Sequence, residues 1–192
     1  MRYYSTNKNS EQVSFKEATI RGQAPDKGLY FPEIILKIDK GLIDDIEKIS
    51  NEEIAFQVIK PYVTNEITDD DLFKIVSETV NFPIPLVKVN DNIFSLELFH
   101  GPTLAFKDIG ARFMSRCLGY FLSNENKKVT VLVATSGDTG GAVANGFYDV
   151  PGVDVIILYP SGKVSAVQEK QLTRLGKNIQ ALEIEGNFDD CQ

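Results

Sequence analysis

Lys107 stands between an aromatic side chain, Phe106, and a carboxylate, Asp108. Ahead of it, residues 93–99 are apolar with Ser95 and Glu97 in alternation, which reads as a strand. Gly101-Pro102 then turns the chain. Behind it, Ile109, Phe113, Met114, Cys117, Leu118 and Phe121 recur at helical spacing. The pattern places Lys107 at a loop-to-helix junction under apolar side chains. Such surroundings disfavour the charged form of an amine. A neutral lysine amine is a nucleophile and forms Schiff bases.

Two further strings carry chemistry. Thr135-Ser136-Gly137-Asp138-Thr139-Gly140-Gly141 joins an apolar run to a helical pattern. Glycines allow a tight turn there, and the free N–H groups of the helix start suit an anion such as a carboxylate. The hydroxyls of Thr135, Ser136 and Thr139 add donors. Ser161-Gly162-Lys163-Val164-Ser165 follows a second apolar run, and Lys163 offers a point charge to a phosphate. Arg112, on an otherwise apolar helix, is a second phosphate candidate. Asp138-Thr139-Gly140 matches the aspartic-protease triplet but precedes a helix, whereas those proteases are all-β. No GxGxxG is present, and Ile157 breaks any Walker A reading of Gly162-Lys163.

The elements that position these residues follow from periodicity. From Lys107 onward, helix 108–122, strand 129–134, helix 140–148, strand 153–159, helix 165–175 and strand 179–184 alternate. That order implies an α/β architecture with a parallel sheet and crossover helices. Ligands in such sheets bind beyond the carboxyl ends of the strands, where both loops fall. The first two strands are near-continuous apolar runs, which predicts burial on both faces. Before Lys107, residues 86–89 and 93–99 form a hairpin around Asn90-Asp91-Asn92, and Asn81-Phe82-Pro83-Ile84-Pro85 is a linker. Residues 1–85 read as a mostly helical unit: short strands at 3–6 and 13–15, and helices over 42–49 and 51–60, with Pro61 just past the second. A third helix starts at Thr68-Asp69-Asp70-Asp71, with Thr68 as its cap. The division is thus 1–85 and 86–192.

Composition excludes several classes. The chain has 192 residues, 27 acidic against 20 basic, and a net charge of −7, which argues against nucleic-acid binding. Two cysteines and one histidine offer no metal-ligand set. No run approaches a membrane span, and Met1-Arg2-Tyr3-Tyr4 opens no secretory signal, so a cytoplasmic address is expected.

The string His100-Gly101-Pro102-Thr103-Leu104-Ala105-Phe106-Lys107-Asp108 resembles the lysine motif of bacterial-type threonine synthases. These enzymes use pyridoxal 5′-phosphate and have the fold of the tryptophan synthase β type. The strings 134–140, 159–165 and 185–192 and the segment Lys27-Gly28-Leu29-Tyr30-Phe31-Pro32 resemble the same family in order. The resemblance implies a threonine-synthase-type first domain and part of a three-layer α/β cofactor domain. It implies conversion of O-phospho-L-homoserine and water to L-threonine and phosphate, with the cofactor held as a Schiff base on Lys107. Phe106 and Asp138 would lie at the cofactor. Thr135, Ser136, Gly137, Thr139, Gly140, Lys163 and Arg112 would meet the substrate. Asp138 stands where related enzymes commonly carry Asn, which separates the chain from cysteine synthases. The family continues for roughly as many residues again, so weak cofactor binding without turnover, and self-association through an exposed sheet edge, are expected of this piece. A pyridoxal-phosphate-dependent dehydratase or β-replacement enzyme is the alternative in the same chemistry.

Overall fold

The structure, a computed structural model, describes residues 1–123, 125 and 127–192. The chain divides into two compact units, Met1–Val80 and Asn81–Gln192.

In the first unit, β1 (Tyr3–Ser5) pairs antiparallel with β2 (Tyr30–Pro32). Helix α1 (Phe15–Arg21) starts where a strand is expected from the sequence. Only Val13 keeps β character, bridging Tyr3. The reason is capping. Ser14 and Glu17 form a reciprocal capping box, and the Glu66 carboxylate accepts from the N–H groups of Phe15 at 2.9 Å and Lys16 at 2.8 Å. The expected helix over 42–49 is two pieces, α2 (Lys40–Asp44) and a 3₁₀ turn (Ile46–Lys48). Helix α3 (Asn51–Val63) runs through Pro61 rather than stopping before it. Proline removes one helical hydrogen bond, but the turn beyond it is anchored. Val63 is buried, the Tyr62 hydroxyl accepts from Leu36 N–H at 3.0 Å, and the Tyr62 carbonyl accepts from the Tyr3 hydroxyl at 2.9 Å. Helix α4 (Asp69–Thr79) is capped by Thr68, whose hydroxyl accepts from Asp71 N–H, and buries Leu72, Ile75 and Val76.

The second unit opens with a hairpin, β3 (Leu86–Asn90) and β4 (Ile93–Leu96), which ends short of Phe99. Leu86, Val89, Ile93, Phe94 and Leu96 are all more than half exposed. Then follow α5 (Asp108–Leu122), β5 (Val129–Ala134), α6 (Asp138–Gly146), β6 (Val153–Pro160), α7 (Ala166–Thr173), β7 (Ile179–Ile184) and the short α8 (Phe188–Cys191). Strands β5, β6 and β7 form a parallel sheet in that order, with Val129 opposite Val153 and Val155 opposite Ile179.

Helices α6 and α7 touch each other and the sheet, so they share one face. Val153, Val155 and Ile157 of β6 are buried, while Leu132 of β5 keeps 69% of its surface exposed and Leu182 of β7 48%. Burial on both faces, expected from the apolar runs, therefore holds on one face only among the described residues. Helix α5 buries Cys117, Leu118 and Phe121, the last two contributing about 2 kcal/mol each. Burial pushes the Cys117 thiol up to about 12, so it serves as core. Helix α6 is made of small residues, and a Cβ on Gly146 would lie 3.1 Å from the Ala111 backbone. That narrow face lets α5 and α6 approach closely.

Candidate active site

Lys107 is the residue immediately before α5, in helical conformation. The loop leading to it is pinned from behind. Asp108 is fully buried, and its carboxylate accepts from the Thr103 N–H at 2.9 Å and from the Thr103 hydroxyl. A side chain at Gly101 would collide with Asp108, its Cβ lying 2.5 Å from Oδ2. Leu104, in the same loop, adopts φ +60° and is largely exposed. A branched side chain in the left-handed region is strained backbone of the kind found at functional loops. The carboxylate next to the lysine is thus a structural strut for its loop, not its ion-pair partner.

The partner comes from the next loop. Lys107 Nζ lies 3.9 Å from Asp138 Oδ2 and 4.4 Å from the centroid of the Phe106 ring. The lysine side chain keeps 32% of its surface exposed, so the shielding expected from the sequence is partial. Beside it is a pocket of about 480 Å³ walled by α5 and α6, with Ile109, Met114, Ala142, Val143 and Phe147 supplying apolar surface and Thr139 a hydroxyl. The sequence suggests an amine between two glycine-bearing turns. The pocket is instead walled by two helices, and the turn after β6 is not among its lining residues.

The loop from β5 to α6 is organised by Thr135. This residue is buried at the end of β5, and its Oγ1 accepts from Gly137 N–H at 3.0 Å and from Gly140 N–H at 2.8 Å. Its hydroxyl is therefore the loop's internal fastener rather than a free donor. The N–H groups of Asp138 and Thr139, in the first turn of α6, have no acceptor among the described residues. Ser136 is exposed. Gly137 has φ +136°, which a side chain rarely tolerates, and Gly140 is packed so tightly that a Cβ would lie 2.5 Å from Thr135 Cγ2 and 2.8 Å from Leu172 Cδ2. Lys163 is exposed in the β6–α7 loop. Arg112 donates to the Asn81 side chain at 2.9 Å.

One residue at this site goes unnoticed in the sequence. Gln168, on α7, donates from Nε2 to Asp138 Oδ1 and lies against Gly137. In the sequence it is a polar residue on a polar helix, thirty positions from its partner, and no local signal marks it. Among the described residues no group of three His, Cys, Asp or Glu side chains is placed to hold a metal, and no helix is long and apolar enough to cross a membrane.

An amine, a carboxylate on a glycine-rich helix start and an apolar pocket thus lie together at the carboxyl end of a parallel sheet. Residues 78–192 match the family of pyridoxal-phosphate dependent enzymes, and the chain belongs to that family. Residues 2–80 match the threonine synthase N terminus. The chain is similar along its whole length to the threonine synthase of Buchnera aphidicola from Acyrthosiphon pisum, 44% identical and covering 45% of that protein. It superposes on the crystal structure of threonine synthase from Escherichia coli with a TM-score of 0.90 at 42% identity, covering all of this chain and 44% of that one. The pyridoxal-phosphate-bound threonine synthase from Brucella melitensis also gives 0.90, at 40% identity and 42% coverage of its chain. The chain thus spans under half the length of these relatives.

Proposed function

We propose that this chain carries the lysine side of a threonine synthase, a lyase that converts O-phospho-L-homoserine and water to L-threonine and phosphate with pyridoxal 5′-phosphate. The observation that carries the reading is the Lys107 amine, facing Asp138 at 3.9 Å beside the apolar pocket. The donor set fits the cofactor: one primary amine for its aldehyde, apolar walls for its ring, and one carboxylate close to both. The pocket volume, about 480 Å³, is in the range of small-molecule sites. When bound, pyridoxal phosphate supplies an electron sink for charge developing beside the substrate amine.

The chain's own residues do the rest. Lys107 would hold the cofactor through its amine, and its Nζ, when free, would accept the proton from the substrate Cα and later return one. Phe106 and Asp138 flank that nitrogen and would lie beside the bound cofactor. The free N–H groups of Asp138 and Thr139, with the Ser136 hydroxyl, bind the substrate carboxylate. Gly137 and Gly140 keep that backbone open to close approach, and Thr135 fixes its shape. Lys163 meets the substrate phosphate as an exposed point charge. Arg112, engaged by Asn81, is the second cation for that role. The partner is a small molecule, not nucleic acid. Two unpaired buried cysteines support a reducing compartment, the cytoplasm. The sheet leaves β5 and β7 as edges with exposed leucines, which supports self-association there.

A second reading, that the 192-residue chain binds cofactor without turnover, rests on its span of 42–45% of the relatives named above. Adding pyridoxal phosphate and recording the visible band of the lysine-linked cofactor tests the site; phosphate release from O-phosphohomoserine tests turnover. We expect the band in the wild type, its complete loss in Lys107→Ala, and no sustained phosphate release. An unchanged band in Lys107→Ala overturns the assignment. Release of pyruvate or a 2-oxo acid from unphosphorylated serine or threonine favours the dehydratase alternative.

A further inference from the structure

We propose that Gln168 is a positioning residue that fixes the Asp138 carboxylate over the Lys107 amine and ties the loop carrying Lys163 to the lysine site. The inference rests on Lys107 being the cofactor lysine, and it concerns how that amine is kept reactive.

Three observations carry it. First, the orientation of the Gln168 amide is fixed. Ser165, the cap of α7, accepts from the Gln168 N–H at 3.4 Å through its hydroxyl oxygen and donates to Gln168 Oε1 at 2.8 Å. The acceptor end of the amide is thereby used, and its N–H₂ end faces Asp138 Oδ1 as a donor. Second, the amide is a wedge rather than a loose surface group. Its three terminal atoms lie 2.6–2.8 Å from where a Cβ on Gly137 would stand, so the amide packs directly on the loop backbone, at a position whose φ of +136° already calls for glycine. Third, the two oxygens of Asp138 are divided. Oδ1 is held by Gln168, and Oδ2 is the oxygen 3.9 Å from Lys107 Nζ.

That distance is longer than a charge-assisted hydrogen bond. A carboxylate with 58% of its surface exposed has room to rotate and close on the ammonium. A closed ion pair withholds the amine lone pair from an electrophile. Gln168 holds the carboxylate near the amine yet out of contact, and it does so from the helix that follows the Lys163 loop. An occupant of that loop that displaces Ser165 or Gln168 would be felt at Lys107 through Asp138.

The test labels the full 192-residue chain with pyridoxal phosphate as probe, followed by borohydride trapping and peptide mass spectrometry. Lys60, in the first unit, serves as internal reference. Gln168→Met preserves size and removes the amide, and Gln168→Asn is too short to reach. Gln168 is half-buried, so circular dichroism first checks that both variants keep the wild-type fold. In both, the Lys107-to-Lys60 labelling ratio falls about threefold or more, the worth of one net hydrogen bond. In an Asp138→Ala background the same substitutions change the ratio by less than about 1.5-fold, since the coupled partner is gone. A ratio equal to wild type in both variants overturns the proposal, as does an equal fall with and without Asp138. Failure of the wild type to label at Lys107 overturns the cofactor assignment itself, and is a separate result.

Discussion

The loops after β5 and after β6 begin alike, each leaving a parallel strand and entering a helix, yet they are built oppositely. The first is closed on itself. Thr135 is buried and accepts two N–H bonds from the loop's own glycines, and Gly140 is pressed between Thr135 and Leu172. The second is open. Gly162 has φ +64° with no atom within 4 Å of its absent Cβ, Lys163 is exposed, and Ser165 does no more than cap α7 and hold Gln168. The difference teaches where rigidity is placed. The backbone expected to meet a carboxylate is fixed in advance, while the lysine expected to meet a phosphate is left free to find it.

Stability measurements break or sharpen this contrast. The largest effect is expected from Thr135→Val, which keeps shape but leaves two buried N–H donors without an acceptor. It costs about 3 kcal/mol in urea unfolding, and a loss under 1 kcal/mol would show that the loop is not held this way. Gly140→Ala overpacks the same loop and costs about 2 kcal/mol. Gly162→Ala, strained but unhindered, costs about 1 kcal/mol, so the two alanines separate crowding from backbone strain. Ser165→Ala removes a cap on an exposed helix and costs under about 1 kcal/mol. Equal losses at Thr135 and Ser165 would erase the distinction between the loops.

Much of this was legible in the sequence, because the signals are local. The strand–helix alternation from Lys107 on depends on apolar periodicity, and all six of its elements lie within two residues of their expected limits. The lysine string and the glycine loop were readable for the same reason. Where the reading failed, a distant residue decided. Phe15 begins a helix because Glu66 takes its N–H, and Pro61 is carried inside α3 because Tyr62 and Val63 are tied to Leu36, Tyr3 and the core. Strand periodicity suggested two buried faces, but an apolar run does not reveal whether anything lies against it. Asp108 is adjacent to Lys107 in the chain, yet the fold turns it onto Thr103 and sets Asp138 beside the amine. Gln168 had no local mark at all.

The contact between Gly137 and the Gln168 amide also bears on genetics. A library that randomises position 137 alone should return little but glycine, because the dihedral is forbidding and a Cβ would also push the Gln168 amide aside. Shortening residue 168 removes the contact and leaves the dihedral, which lies outside the left-handed helical region that asparagine visits, so even paired diversification should recover glycine.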